Sequence, residues 1–314
     1  MNRQGFLKAP RALFGATALA ISVLAAGCGL GFSSASAHTS IHLVDDTGHH
    51  VSLPGPAKRL VVLESSNFEI VHLLGLDARI VGVDSSVAAY TPPPWRRAAQ
   101  HFHSIGSVFT AIPTEKVAAL KPGLVIAAGG LHGLSALTPL HIPVLTLEPQ
   151  SIAGVYHDIL LVGEATGRQT AAHRLVARMK RQIAAIEAKV SRVHSRPTVF
   201  YDLGGLYTAG PKSFLGNLIT LAGGVNTGAR MSTKMWPVVT AEQVVAANPS
   251  VILIDAGTAT PAQEDALPGF SKTTAVATHH VLVVPVPSYT EQPSPGLVMG
   301  LRELVRLLHP GIPG

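Results

Sequence analysis

Two glutamates begin the two copies of one short pattern. Glu115 opens residues 115–126 (EKVAALKPGLVI), and Glu242 opens residues 242–253 (EQVVAANPSVIL). Each copy predicts a short helix that ends at a proline and is followed by a buried strand. A carboxylate there can accept paired hydrogen bonds from an arginine, or it can simply complement the helix dipole. The repeat indicates two similar lobes around a cleft, which is more typical of a binding protein than of an enzyme.

Aromatic side chains are a second group that could recognise a ligand. They make up only 5% of the chain, yet five of them fall in loops predicted to leave the ends of strands: Tyr90, Trp95, Tyr207, Trp236 and Tyr289. Flat aromatic faces suit a macrocycle, which offers a large apolar surface and few directional contacts. The alternative is that these rings anchor loops to the surface of each lobe.

The chain has 15 histidines, which raises the question of a metal site. The clusters are His49-His50, His101 with His103, and His279-His280. A zinc site needs about four converging ligands, and no cluster has the spacing of such a site. We therefore expect solvated histidines that titrate with ambient pH and no protein-bound metal. Many histidines with low charge also suggest the hypothesis of life at acidic pH.

Catalytic motifs do not appear in the sequence. There is no Gly-x-Ser-x-Gly elbow, no Walker loop and no His-Glu-x-x-His pattern, and residues 207–214 (YTAGPKSF) lack Walker spacing. We therefore expect no enzymatic activity. The alternative from another class is a hydrolase or a metal-dependent lyase built on the same two-lobe plan, which sustained turnover in an assay would reveal.

Composition agrees with a globular protein of two domains. The 314 residues are 47% hydrophobic and 13% charged, so each half can bury a core. The net charge of +6 does not indicate a nucleic-acid partner, because the densest basic run, 168–196, follows one amphipathic segment.

The N-terminus has the features of an export signal. Arg3, Lys8 and Arg11 precede an apolar run over 12–26, which is shorter than the ~20 residues that span a bilayer. The run leads to residues 25–28 (AAGC), which resemble a lipobox with cleavage before a lipid-modified Cys28. Residues 35–37 (ASA) offer a competing cleavage site that would release the protein without a lipid anchor. Cys28 is the only cysteine, so no internal disulfide can form.

The periodicity places these residues on α/β elements. Strands are expected at 60–63, 80–83, 124–127 and 144–147 in the first lobe, and at 198–201, 251–254 and 280–285 in the second. We expect helices over 68–74 and 214–221, a loop through Pro94, and caps at Thr114 and Thr240, the latter with capping-box spacing to Gln243. Gly163 and Gly167 interrupt the helical residues 152–193, which predicts either two helices or one kinked helix. The expected organisation is as follows: a lipoprotein signal peptide at 1–27, a flexible tether at 28–40, an N-terminal lobe at 41–150, a linking backbone helix at 151–195 and a C-terminal lobe at 196–314.

Eight segments together carry a resemblance to a known family. They are residues 58–63, 69–75, 80–83, 105–107, 120–126, 207–210, 221–224 and 297–310. In this order and spacing the chain resembles, over residues 41–310, the substrate-binding proteins of ABC importers for cobalamin, ferric siderophores and haem. The resemblance implies two similar α/β lobes joined by a long rigid helix, with the ligand cleft between the lobes.

The resemblance also implies roles for residues. Glu115 and Glu242 occupy the positions of glutamates that dock into basic pockets of the permease, and Tyr90 and Trp236 match aromatic positions of the cobalamin binder. Ser65, Trp95, Gly130, Tyr207 and Tyr289 complete the expected ligand-binding set. Tyr90 also lies near the place where haem binders carry an axial tyrosinate, so it does not separate the two ligands.

The chain departs from the cobalamin pattern at two places. Ala127-Ala128 replaces an aromatic residue and an arginine, and Gly296 replaces the arginine of a Ser-Pro-Arg motif. These losses weaken the case for a ligand that bears carboxylates or phosphates.

The expected function is an exported receptor of an ABC permease and its ATPase. It would have no resident cofactor and would capture a cargo that itself contains cobalt or iron. We rank the cargo as a corrinoid first, then a ferric siderophore, then haem. We expect a monomer that is held to the membrane by a lipid anchor and binds no nucleic acid.

Overall fold

The computed structural model describes residues 40–312, which form two parallel β-sheets surrounded by helices. The first lobe opens with an antiparallel hairpin of β1 and β2, and its four remaining strands pair in parallel in the order β4-β3-β5-β6. Its elements are β1 (Ile41–Val44), β2 (His50–Leu53), β3 (Leu60–Val62), α1 (Ser65–Leu73), β4 (Ile80–Val83), α2 (Ser85–Tyr90), α3 (Pro93–Ala99), α4 (Thr114–Ala119), β5 (Leu124–Ala128) and β6 (Val144–Leu147).

Two helices, not one, follow the first lobe: α5 (Ile152–Thr166) and α6 (Gln169–Val190). Gly163 does not interrupt α5; it lets the helices approach, because a Cβ at this position would lie 2.5 Å from the Cβ of Ala172. Gly167 ends α5 in a left-handed conformation with φ 69°, which glycine adopts without steric cost. One of the two predicted glycine interruptions is therefore wrong and the other is confirmed.

The second lobe carries a four-stranded parallel sheet in the order β10-β9-β7-β8. Its elements are β7 (Thr198–Asp202), α7 (Phe214–Leu221), β8 (Val225–Asn226), α8 (Gly228–Met231), α9 (Ala241–Ala247), β9 (Val251–Asp255), α10 (Pro261–Asp265), α11 (Thr274–Ala277), β10 (Val281–Val284), α12 (Ser288–Glu291) and α13 (Leu297–Leu308).

Both sheets have the same topology. When the strands of each parallel sheet are numbered along the chain, both sheets read 2-1-3-4. The third strand is β5 in one and β9 in the other, and α4 and α9 immediately precede them. The prediction of two similar α/β lobes is confirmed, whereas the lobe boundaries drawn from the sequence stay predictions.

The core joins both lobes to the helices. Strands β3 and β9 are buried at every position, as expected for parallel sheets covered on both faces. One continuous hydrophobic cluster includes Phe68 of the first lobe, Met179 of α6, and Tyr201 and Leu304 of the second lobe. Burying this cluster holds the two sheets on a common helical support.

Three local expectations are wrong. Residues 85–94 do not form a loop, because Asp84 caps α2 by accepting from the Ser86 N–H, and the prolines at 93–94 begin α3. Helix α1 begins at Ser65 rather than at Phe68. Thr114 is the first residue of α4 and makes no cap, since its hydroxyl donates to the Ile112 carbonyl.

Candidate functional site

The shared topology predicts where a ligand would lie. In an open parallel sheet with the order 2-1-3-4, the connections that leave the first and the third strand run in opposite directions. Ligands bind outside the carboxyl ends of those two strands. In this chain the segments leaving there begin at Leu63 after β3, Gly129 after β5, Leu203 after β7 and Ala256 after β9.

A cavity of about 330 Å³ opens at this end of the second lobe. Its walls are Leu203, Tyr207, Leu215, Trp236 and Glu291. The rings of Tyr207 and Trp236 stack with their centroids 6.1 Å apart and their planes at 30°. Tyr207 is 38% exposed, so the aromatic wall faces open space.

Backbone hydrogen bonds fix the two aromatic residues. The Thr208 N–H donates to the Pro237 carbonyl at 2.9 Å and the Gly210 N–H to the Met235 carbonyl at 2.8 Å, so the two segments run as a short ribbon. The Asp202 Oδ1 accepts from the Gly204 N–H at 2.7 Å and closes the turn before Tyr207. The stacked pair is therefore set by the main chain.

Two buried acidic groups lie near the strand ends of the second lobe: Asp255 at the end of β9, and Glu264 of α10, which lines a separate cavity with Asp202. The Asp255 carboxylate accepts a 2.5 Å hydrogen bond from the Tyr201 hydroxyl. Burial, followed by the neighbouring Glu291, raises the pKa of Asp255 to about 8. Burial, followed by the charge of Asp202, raises the pKa of Glu264 to about 7. These carboxyls resist ionisation because no cation compensates for their desolvation.

The two lobes meet beside the cavity. The Ser65 hydroxyl at the start of α1 donates to Gln292 Oε1 at 3.0 Å. One turn further along α1, Glu69 Oε2 accepts from the Ser294 hydroxyl at 2.7 Å and from the Gly296 N–H at 2.9 Å. Burial raises the pKa of Glu69 to about 8, against the opposing effect of these two bonds.

The first lobe presents its aromatic residues differently. Tyr90, the last residue of α2, is 54% exposed. Trp95 is half-buried and packs against the main hydrophobic cluster, so much of its ring anchors α3. Tyr289 of α12 is also half-buried, and burial raises its pKa to about 12, with a further contribution from the charge of Glu69.

Gly130 lines another groove rather than the aromatic cavity. This groove, of about 760 Å³, separates the β1–β2 hairpin from the loop before β6, and four histidines line it: His49, His50, His132 and His141. Across residues 40–312, no group of three or more His, Cys, Asp or Glu side chains is arranged to hold a metal ion.

The two repeated glutamates lie in equivalent places. Glu115 and Glu242 are both exposed in the first turns of α4 and α9. The predicted capping box of α9 is confirmed, because Thr240 accepts from the Gln243 N–H and Gln243 accepts from the Thr240 N–H. Backbone and Thr240 hydrogen bonds lower the pKa of the exposed Glu242.

Sequence reasoning did not single out two residues of the site. Glu291 and Leu203 line the cavity. Glu291 and Leu203 both fall in segments that follow strand ends, so position relative to β7 and β10 was the available signal.

Cys28 and its cleavage sites lie outside the described residues. Within 40–312, none of the helices combines the length and apolar character needed to cross a membrane.

Comparison with known proteins identifies the class. The chain belongs to the periplasmic binding protein family, whose model matches residues 60–287. It is 29% identical over 318 residues to an uncharacterized ABC transporter substrate-binding lipoprotein of Bacillus subtilis, covering 96% of this chain and 98% of that protein. A cobalamin-binding protein of Halobacterium salinarum is 30% identical over 276 residues, covering 84% of this chain and 73% of that protein.

A solved structure supports the same fold. It belongs to an ABC-type Fe³⁺-hydroxamate transport system of Saccharomonospora viridis and aligns with a TM-score of 0.70 and 25% identity, covering 87% of this chain and all of that chain (100%). The resemblance deduced from the eight sequence segments is thereby confirmed at the level of the family.

Proposed function

We propose that this protein is the extracytoplasmic substrate-binding receptor of an ABC importer. Its family membership and its likeness to the Bacillus subtilis substrate-binding lipoprotein support this role. Relatives of this kind deliver cargo and do not transform it, so we propose that the chain has no catalytic activity.

The proposed cargo is a metal macrocycle or chelate, and a corrinoid is the first candidate. The observation that carries this proposal is the stacked pair of Tyr207 and Trp236, which opens onto the 330 Å³ cavity. A planar ring system can cover such a wall and bury a large apolar area. The cobalamin-binding relative supports the same candidate, and ferric siderophores and haem are the alternatives.

Delivery would follow from docking through Glu115 and Glu242. The helices that carry them precede equivalent strands of the two sheets, so the pair can meet basic pockets of the permease. Each carboxylate is exposed and can accept a bidentate arginine contact. We expect only small motions between the lobes, because α5, α6 and α13 share a core with both sheets.

We also propose that the receptor is exported and anchored through lipid-modified Cys28. The lipoprotein relative supports this anchor. The receptor would act as a monomer with a permease and its ATPase, bind no nucleic acid and hold no cofactor beyond the cobalt or iron of its cargo.

The decisive experiment titrates residues 38–314 with cyanocobalamin, cobinamide, hemin and ferric siderophores, followed by visible absorption and calorimetry. Tight one-to-one corrinoid binding that is lost in Trp236→Ala supports the proposal. Tyr156→Ala, which removes a half-buried aromatic side chain of α5, is the matched control and should leave affinity unchanged.

Other outcomes point elsewhere. A tyrosinate-ligated haem spectrum that is lost in Tyr90→Phe would assign haem as the cargo. Sustained turnover of a corrinoid or ester substrate would overturn the receptor proposal in favour of an enzyme.

A further inference from the structure

One acidic side chain from each lobe flanks the contact between the lobes. Ser65 and Gln292 share the 3.0 Å hydrogen bond, and the residues that precede them in sequence are Glu64 and Glu291. The contact therefore places the main chains of Glu64 and Glu291, from different lobes, beside the junction between the lobes. Glu291 is exposed and forms part of the wall of the aromatic cavity.

Glu64 is held there at a conformational cost. Its φ is 81°, in the left-handed region that non-glycine residues rarely occupy and that tends to mark functional sites. Its N–H donates to Asp84 Oδ1 at 2.8 Å, and its side chain accepts from the Ser86 hydroxyl at 3.3 Å. Burial, followed by the charge of Asp84, raises the pKa of Glu64.

A further carboxyl, that of Asp255, lies close to Glu291. Asp255 is 1% exposed, and its Oδ2 has no hydrogen-bond partner among the described residues. Asp255 is coupled electrostatically to both Glu291 and Asp202. Because burial raises the pKa of Asp255 to about 8, Asp255 adds little negative charge at neutral pH, and the acidic character of this wall rests on the exposed Glu291.

Cations do not balance these groups at the cavity. None of its wall residues within the described chain is Lys, Arg or His. Outside this wall, the charge of Arg96 in α3 reaches Tyr289, and Arg96 Nε donates to the Thr91 carbonyl. This wall of the cleft therefore carries an acidic side chain and no cation, although the whole chain carries a net charge of +6.

The site also has no room for an additional arginine at the start of α13. A Cβ at Gly296 would lie 2.9 Å from Glu69 Oε2 and 3.1 Å from Tyr289 Cδ1. A larger side chain there would require both neighbours to move, so the packing itself keeps this position free of a cation.

We propose that the cleft selects its cargo by charge, accepting neutral or cationic metal complexes and rejecting anionic ones through Glu64 and Glu291. Amide-rich corrinoids and ferric hydroxamates meet this requirement, because their N–H groups or positive charges can face carboxylates. Haem with two propionates and ferric catecholates do not, because like charges repel strongly where water is excluded. This selection rests on the proposed function, in which the cavity receives the cargo.

The test uses three pairs of ligands that differ in charge but keep the same metal and ring or chelate. They are cyanocobalamin against its monocarboxylic acid derivative, ferrioxamine B against its N-succinyl derivative, and hemin dimethyl ester against hemin. Within each pair that binds, the neutral or cationic member should bind at least ~10-fold more tightly, a difference of about 1.4 kcal/mol. The difference should shrink at high ionic strength.

Variants assign the effect to the two glutamates. In the double variant Glu64→Gln with Glu291→Gln, the preference should fall below ~3-fold, about 0.65 kcal/mol. The control variant Glu164→Gln changes an exposed residue of α5, and in it the preference for the neutral or cationic member should persist. Equal binding of both members of a pair, or a preference that survives in the double variant, would overturn charge selection while the receptor function stands. Binding of no member of any pair would overturn the receptor function and charge selection together.

Discussion

The first and second lobes share a topology but not a binding surface. Both sheets read 2-1-3-4, and both place a short helix with an exposed glutamate before the third strand. At the strand ends, however, the second lobe has the stacked Tyr207 and Trp236, whereas the first lobe has Ala128 at the end of β5 and Gly129 directly after it. A repeated fold therefore positions equivalent docking helices while the loops diverge to build an asymmetric cleft.

The sharpest test of the feature that the two lobes share is removal of both docking glutamates. Glu115→Ala with Glu242→Ala should lower cargo uptake by a reconstituted importer at least ~100-fold, because two charge-assisted contacts, each worth about 1.5–3 kcal/mol, are lost. The two single variants, Glu115→Ala and Glu242→Ala, should lower uptake by about equal factors. Ligand affinity of the free receptor should not change.

Glu164→Ala is the control for this prediction, since it removes an exposed glutamate of α5. Unchanged uptake by the double variant would contradict docking. A strong effect of only one single variant would break the equivalence of the two lobes.

The aromatic side chains, which differ between the two lobes, should contribute unequally to ligand affinity. Trp236→Ala should weaken corrinoid binding at least ~10-fold, about 1.4 kcal/mol, because it removes half of a stacked wall. Tyr90→Ala should weaken it only ~3-fold or less, since Tyr90 is 54% exposed. Isothermal titration would compare them, and a larger loss in Tyr90→Ala would place the main contact on the first lobe.

Buried carboxyls predict that stability changes with pH. Asp158 of α5 is fully buried, and burial followed by the neighbouring Asp46 raises its pKa to about 9. Unfolded, its pKa is about 3.9. Between these values the folded state binds more protons, so the free energy of unfolding should fall as pH rises from 4 through 9. Glu69 and Asp255, each with a pKa of about 8, act in the same direction.

Replacing Asp158 isolates its contribution to the pH dependence of stability. Asp158→Asn should raise the free energy of unfolding by about 1–3 kcal/mol at pH 8, because the folded state no longer has to protonate a carboxylate at this position, and by less at pH 4. Urea unfolding at both pH values measures this, with Asp77→Asn, which changes an exposed carboxylate beside His72, as the control. A stability maximum at neutral pH would contradict both the predicted fall of stability with rising pH and the hypothesis of life at acidic pH.

The smallest expected effect compares the two repeated helices. Thr240→Ala should lower stability by about 1 kcal/mol because it removes a capping box. Thr114→Ala should cost less than about 0.5 kcal/mol, since Thr114 makes no cap. Equal losses in urea unfolding would show that the two helix starts are equivalent after all.

Much of the fold was predictable because it depends on local patterns. The strands β4 and β6 and the helix α7 match the predicted bounds, and the capping box at Thr240 follows from spacing alone. The missed helices α2 and α3 have serines and prolines, which favour loops in isolation but start helices when a capping group or N1 position is available. The ligand-binding and docking roles of all the predicted site residues stay predictions.

The sequence by itself determined the two-lobe plan, the family and the paired glutamates, because repeats and apolar periodicity are properties of short segments. Only the tertiary structure decided which segments meet, and therefore that Ser65 bonds Gln292 across the lobes and that Tyr207 stacks on Trp236. These partners are far apart in the chain. Their proximity follows from burial of a core common to both lobes, which no local pattern encodes.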